Sequence, residues 1–183
     1  MTEKDSILSD LQQASARFLA LVEDIRPELH RYCARMTGSI ADGEDIVQET
    51  LARAYYEISQ LQELPALRPW LFRVAHNCAI DHLRRYDRRM SEPLDATHEI
   101  AGNDMQNPDD ALARNQIVQA AVSRFIELPP HQRSCVILKD VLDYSLEEIA
   151  ALLELSIQAV KAALHRGRQR LHALSDAPSP ASH

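Results

Sequence analysis

The sequence predicts an all-α fold, and three observations carry that expectation. Glycine is scarce (4 of 183 residues) and aromatics make up only 5%, too little turn and strand chemistry for a β-sandwich or barrel. Apolar residues are 45% of the chain and recur at three- and four-residue steps, the period of one helix face. The punctuating residues fall between those periodic stretches rather than inside them. A chain of this length can bury one good core or two small ones.

Each element follows in order. Leu8, Leu11, Phe18, Leu21, Val22 and Ile25 predict a first helix. Leu29, Tyr32, Cys33 and Met36 predict a second, beginning after Pro27 and stopping at Gly38. Ile46, Val47, Thr50, Leu51, Ala54, Tyr55 and Ile58 give a third helix whose opposite face carries Asp45, Gln48 and Glu49. Pro65 and Pro69 bracket a loop. A long helix then begins near Trp70, with Leu71, Val74, Ala75, Cys78, Ala79 and Leu83 inward and arginines gathered toward its end, where cations suit the dipole. Leu112, Ile117, Ala121, Val122 and Phe125 form the next helix, which stops at Pro129-Pro130 and resumes through Cys135, Val136, Leu138 and Val141. Ser145 and Glu148 make a capping box for a short helix. Ser156 is the N-cap of a last helix bearing Ala159, Val160, Ala163, Leu164 and Leu171.

The charge pattern divides the chain. Its net charge of −7 argues against indiscriminate coating of nucleic acid, so any such contact must come from local patches. Two patches exist. Arg68 to Arg89 carries six arginines against Asp81 and Asp87, and Gln158 to His172 carries Lys161, Arg166, Arg168 and Arg170 with no acid. Between them, SEPLDATHEIAGNDMQNPDD has six acids, no Lys or Arg, and no apolar period, which reads as a flexible linker. The expected organisation is a helical domain over 1–90, an acidic linker over 91–110, a second helical domain over 111–175, and a disordered tail over 176–183.

The helix pair from Ser145 to about Leu174 has the spacing of a helix-turn-helix. Ala150 sits at the close approach, Leu155 plugs the turn and Val160 anchors the second helix. Its outer face would offer Gln158, Lys161, Ala162, His165, Arg166, Arg168 and Gln169 to phosphates and base edges; a plain αα-hairpin with a solvated basic face is the competing reading. The first basic stripe interleaves Trp70, Phe72, His76 and Tyr86 with arginines, as surfaces that stack unpaired bases do. Its competing reading places Trp70 and Phe72 in the core and leaves a charged helix end.

No catalytic set converges. There is no Gly-rich phosphate loop, no G-x-S-x-G and no H-E-x-x-H. His76, Cys78 and His82 diverge on a helix, so neither a metal nor a cofactor is expected. Cys33, Cys78 and Cys135 are odd in number and widely spaced, which points to buried thiols in a reducing compartment. The start has no secretory signal pattern and no run approaches a membrane span, so a cytoplasmic protein without membrane insertion is expected.

Taken together, RPELHRYCARMTGSIADGEDIVQETLARAY, LRPWLFRVAHNCAIDHLRR and LPPHQRSCVILKDVLDYSLEEIAALLELSIQAVKAALHRGRQRL resemble bacterial sigma factors of the small extracytoplasmic-function (ECF) type, over about 150 of the 183 residues. The resemblance implies a region 2 domain and a region 4 domain, and a protein that binds core RNA polymerase, recognises the -10 and -35 promoter elements and promotes melting. Asp42, Asp45, Gln48 and Glu49 would face the β′ clamp helices. Arg73, His76, Asn77, Asp81, Arg84 and Arg85 would meet the -10 element, and the loop from Ser59 to Leu67 would receive an extruded base. Ser156, Gln158, Lys161, Ala162, His165, Arg166 and Arg168 would meet the -35 element. The implied partners are core polymerase, through its clamp helices and β flap, and promoter DNA, with an anti-sigma factor left open.

Two departures stand out. Glu154 occupies the turn position where the family usually has Gly, so it must take a left-handed conformation or alter the turn. The family's usual Thr, Ser and Arg of the recognition helix are here Ala159, Ala162 and Ala163. A free-standing helix-turn-helix regulator with a helical sensing or dimerising domain is the alternative from another class. It has no need of the acidic Asp45-Gln48-Glu49 face.

Overall fold

The computed structural model describes residues 2–63, 65–91 and 109–177, and every regular element among them is a helix. The α-helices are α1 (Glu3–Thr37), α2 (Ile40–Ile58), α3 (Leu67–Ser91), α4 (Asp109–Ser123), α5 (Pro130–Val136), α6 (Leu146–Leu153) and α7 (Ile157–Asp176). A 3-10 turn follows α4 at Arg124–Glu127, and a π turn follows α5 at Ile137–Val141. Most of the expected linker (92–108) and of the expected tail (178–183) lies outside the described residues.

The break expected at Pro27 does not occur, and one helix runs through it. An internal proline forfeits a backbone hydrogen bond and crowds the preceding turn, at about 3 kcal/mol. On either side, however, Phe18, Ile25, Leu29, Tyr32 and Met36 are all buried in the same core. Each such side chain gains roughly 1.5–3 kcal/mol on burial, so packing outweighs the local penalty. Toward the N-terminus the same helix leaves Leu8 and Leu11 exposed.

α1, α2 and α3 pack together. The α1–α2 crossing is tight: a Cβ on Gly43 would stand 2.5 Å from the Ala34 Cα, so the helices meet where that position has no side chain. α1 ends on Gly38 in the left-handed region (φ 72°), and the Ser39 hydroxyl then accepts from the Asp42 N–H to start α2. From the other half of the chain, the Gln119 carboxamide donates to the Gly38 carbonyl (2.9 Å) and accepts from the Ile40 N–H (3.2 Å). One side chain of α4 thereby satisfies both backbone groups the turn leaves over.

The two halves share a single apolar core. Tyr32, Met36, Leu71 and Phe72 from the first half lie in one buried cluster with Cys135, Leu138, Tyr144 and Ile149 from the second. Phe72 is central to it. Expected in one reading to stack bases, it is instead fully buried, edge-on to Tyr32 at 5.8 Å and to Tyr144 at 5.4 Å. Position 72 faces inward with Leu71 and Ala75, and an aromatic there contributes more as core than as a surface platform.

Candidate nucleic-acid interface

Three faces carry the residues singled out from the sequence. On α7, Ser156, Gln158, Lys161, Ala162, His165, Arg166 and Arg168 are all exposed, while Val160 and Leu164 are buried beneath them. The helix is set by its caps. Ser145 and Glu148 exchange hydrogen bonds of 2.7 and 3.1 Å at the start of α6, and the Ser156 hydroxyl accepts from the Ala159 N–H at 3.1 Å. Between them Glu154 does adopt the left-handed conformation (φ 57°, ψ 42°), and the Leu155 N–H bonds the Ala150 carbonyl. Arg168 differs from its neighbours: its fork grips Asp140 through bonds of 2.9 and 2.6 Å, which raise its pKa and brace α7 against the π turn.

The acidic face of α2 and the basic face of α3 prove to be one network. Glu49 pairs with Arg53 (3.3 Å) and with Arg85 (3.5 Å), Asp81 lies 3.9 Å from Arg53, and His82 lies 3.9 Å from Asp42. Asp45 and Gln48 stand exposed on the outer side. Of the residues expected to meet polymerase, Glu49 is therefore tied to one expected to meet DNA. The Glu49-Arg85 spacing of 36 residues gave no sequence signal for that pair.

Along α3 the arginines divide by partner. Arg68 is bonded to Glu28 and Asp24 of α1, which raises its pKa and makes it a strut. Arg84, Arg88 and Arg89 are exposed and make no hydrogen bond or ion pair among the described residues. Arg73 reaches across to the second half. His76, Asn77, Asp81, Arg84 and His131 line a cleft of about 640 Å³ between α3 and the start of α5. A smaller cleft of about 320 Å³ is ringed by Glu49, Arg53, Asp81, Arg84, Arg85 and Arg88. Four guanidinium groups against two carboxylates give that rim a local positive balance suited to a phosphate backbone.

His76 turns inward. Its Nδ1 lies 2.8 Å from the Tyr32 hydroxyl and 3.3 Å from the Ser134 hydroxyl, joining α1, α3 and α5. Burial, with a smaller contribution from nearby His131, lowers its pKa to about 4, so the ring is neutral at physiological pH. Beside Ser134 on α5 stands a residue that no sequence pattern singled out. Arg133 is 5% exposed and donates to the carbonyls of Met36, Ile126 and Leu128. Burial lowers its pKa, yet guanidinium remains charged and the carbonyls at the end of α1 supply a negative dipole for it. Cys33, Cys78 and Cys135 are buried free thiols as expected, with pKa values raised by burial, that of Cys135 to about 11.

No helix among the described residues is long and apolar enough to cross a membrane. Residues 21–89 match the family model for Sigma-70 region 2, and residues 120–171 match that for Sigma-70, region 4. The chain is 30% identical over 165 residues to the ECF RNA polymerase sigma factor SigW of Bacillus subtilis, covering 84% of this chain and 86% of that one. It is 33% identical over 175 residues to SigG of Mycobacterium tuberculosis, where it spans 84% of itself and 47% of the longer relative. Among solved structures it resembles CnrH in complex with the cytosolic domain of CnrY, with a TM-score of 0.65 and 26% identity over 90% of this chain and 91% of that one. A similar fold occurs in the Bartonella quintana sigma factor RpoE bound to the anti-sigma factor NepR, with a TM-score of 0.66 and 22% identity over 89% and 99% of the chains.

Proposed function

This chain belongs to the ECF RNA polymerase sigma factors, and from that premise we propose how its residues divide the work of transcription initiation. It is an initiation factor whose partners are core RNA polymerase and promoter DNA. The observation that carries the residue assignment is the face of α7. On a helix capped at Ser156 and anchored by Val160, the side chains of Gln158, Lys161, His165 and Arg166 all stand outward. A helix so presented suits a major groove, with Lys and Arg on phosphates and Gln and His on base edges. Ser156 and Ala162 lie within that contact face, and Arg168 holds the helix at its angle.

On the first half, Asp42, Asp45, Gln48 and Glu49 form the polymerase dock, with Asp45 and Gln48 the residues that contact it outright. Arg73, His76, Asn77, Asp81, Arg84 and Arg85 form the -10 surface. Opening a duplex forfeits roughly 1.4 kcal/mol of stacking per base-pair step, which a positive rim and a captured base offset. The loop from Ser59 to Leu67 takes that base. The factor itself recognises and holds DNA, and covalent chemistry is left to the polymerase. Acting with the polymerase on chromosomal DNA, it works in the cytoplasm. An anti-sigma factor is a further partner in this reading, as the solved relative RpoE binds one.

The experiment is transcription in vitro with bacterial core polymerase and chromosomal DNA fragments, followed by mapping of start sites. Discrete starts that appear only with this chain support the reading. A chain that never joins the polymerase, or directs it nowhere, overturns it in favour of the stand-alone regulator.

A further inference from the structure

We propose that Arg53 is a positioning residue for the promoter-facing surface of α3: it engages the Asp81 and Glu49 carboxylates, and so leaves Arg84 and Arg88 free to meet the phosphates of DNA. The proposal rests on the promoter-factor reading above and adds to it a residue to which that reading gives no part.

Local chemistry alone would arrange these charges differently. On a helix, opposite charges three and four residues apart stand side by side and attract, and Asp81 has Arg84 and Arg85 at those two spacings. Neither pair forms. Among the described residues the cation paired with the Asp81 carboxylate is Arg53 of α2, at 3.9 Å. Arg85 instead donates its Nε–H to the Asp81 main-chain carbonyl (3.4 Å) and an Nη–H to Glu49 (3.5 Å).

Packing puts Arg53 where it can do this. Thr50 and Ala54 are buried on the inner face of α2, and Cys78 and Ala79 on that of α3, so Arg53 and Asp81 rise from the edge of the seam between the two helices. From there one Nη of Arg53 lies 3.3 Å from Glu49 while the other faces Asp81. Both clefts described above are lined by Arg53, Asp81 and Arg84. The three side chains stand at the place the clefts share.

The charge balance gives this arrangement its consequence. The smaller cleft sets Arg53, Arg84, Arg85 and Arg88 against Glu49 and Asp81. Arg53 takes Asp81 and shares Glu49 with Arg85, so among the described residues Arg84 and Arg88 have no acidic partner. Without the Arg53 charge, Asp81 is left to the arginines of its own helix. An arginine already neutralised by a carboxylate releases fewer counterions when it meets a phosphate, so the loss registers in the salt dependence of DNA binding.

The test uses holoenzyme assembled from the full chain and bacterial core polymerase, with a promoter obtained by the start-site mapping above. Binding is measured across a salt series. Arg53→Gln should weaken binding about threefold to fivefold and reduce the salt slope by about 0.7–0.9, the share of one phosphate contact. Arg53→Lys keeps a cation beside both carboxylates and should hold most of the native slope. The deciding variant combines Arg53→Gln with Asp81→Asn. It removes the carboxylate that Arg53 occupies, and should return the slope to the native value. A merely structural role would not give that rescue, since asparagine at position 81 cannot replace the lost Arg53 contacts. A slope that stays low in the double variant means that Arg53 either meets phosphate itself or only supports the fold, and overturns the positioning role. An unchanged slope in Arg53→Gln overturns it as well. If the native chain directs the polymerase to no promoter, the promoter-factor reading falls and the positioning role with it, a result separate from either of the others.

Discussion

Arg133 of α5 donates a hydrogen bond to the carbonyl of Met36 in the last turn of α1, joining residues 97 positions apart. The remaining donors of the fork go to Leu128 and Ile126, so one buried cation closes three carbonyls from both halves. Removing it leaves those acceptors dry. Arg133→Ala should cost about 3–5 kcal/mol, and Arg133→Lys should recover little because an ammonium lacks the planar fork. Urea midpoints of the two variants decide this; a lysine variant equal to the native protein would show that charge alone suffices.

The neutral state of His76 makes the fold acid-sensitive in a definite window. In the folded chain its pKa is about 4, against an ordinary value near 6.5. Between those values the unfolded chain binds more protons, so stability falls as pH drops from about 6.5 to about 4. The full loss is roughly 3 kcal/mol at 1.36 kcal/mol per unit. His76→Gln, which can still bond Tyr32 or Ser134, should remove most of that slope. Chemical denaturation at pH 7.5 and pH 5 compares the two proteins.

Packing at the α1–α2 crossing has no slack. Because a Cβ at position 43 would meet the Ala34 backbone at 2.5–2.6 Å, Gly43→Ala must part the helices. We expect a loss of about 1–3 kcal/mol despite the better helix propensity of alanine. A thermal melt that rises instead would show that the crossing can relax.

Docking to polymerase is best tested at Asp45, not Glu49. Reversing Glu49 also breaks its pairs with Arg53 and Arg85 and so disturbs the α3 surface. Asp45→Lys should abolish co-purification with core polymerase while leaving the helical circular dichroism spectrum intact. Retention of binding would move the dock elsewhere.

On α7, replacing Lys161 and Arg166 with Ala should weaken promoter binding by the holoenzyme. It should also flatten the salt dependence by about one unit of slope per lost phosphate contact. Arg168→Ala should act differently, loosening α7 from Asp140 and lowering the melting temperature. Equal salt slopes for the native and double-variant holoenzymes would show that this helix does not read DNA.

Much of this was legible because local chemistry determined it. The capping box at Ser145 and the N-cap at Ser156 follow from short-range rules that the structure obeys, and Glu154 takes the left-handed conformation, one of the two outcomes that the resemblance left open. Pro27 misled for the opposite reason, since its local penalty was outweighed by side chains up to nine residues away on the same face. The merged Glu49, Arg85 and Asp81 network and the Arg133 anchor were invisible because they depend on helices meeting across long separations, for which a single sequence carries no period. Phe72 stood open between a base-stacking stripe and the core, and its packing between Tyr32 and Tyr144, residues remote from it in sequence, decides for the core.

The carboxamide of Gln119 has a practical corollary for protein engineers. Splicing the first 91 residues of this chain to the trailing half of a relative would bring a foreign residue to the Gly38–Ile40 bend, and anything unable both to give and to take a hydrogen bond there would leave two main-chain groups stranded. Hybrid promoter-selectivity factors made from this scaffold should therefore carry a glutamine or its equivalent at position 119 along with the graft.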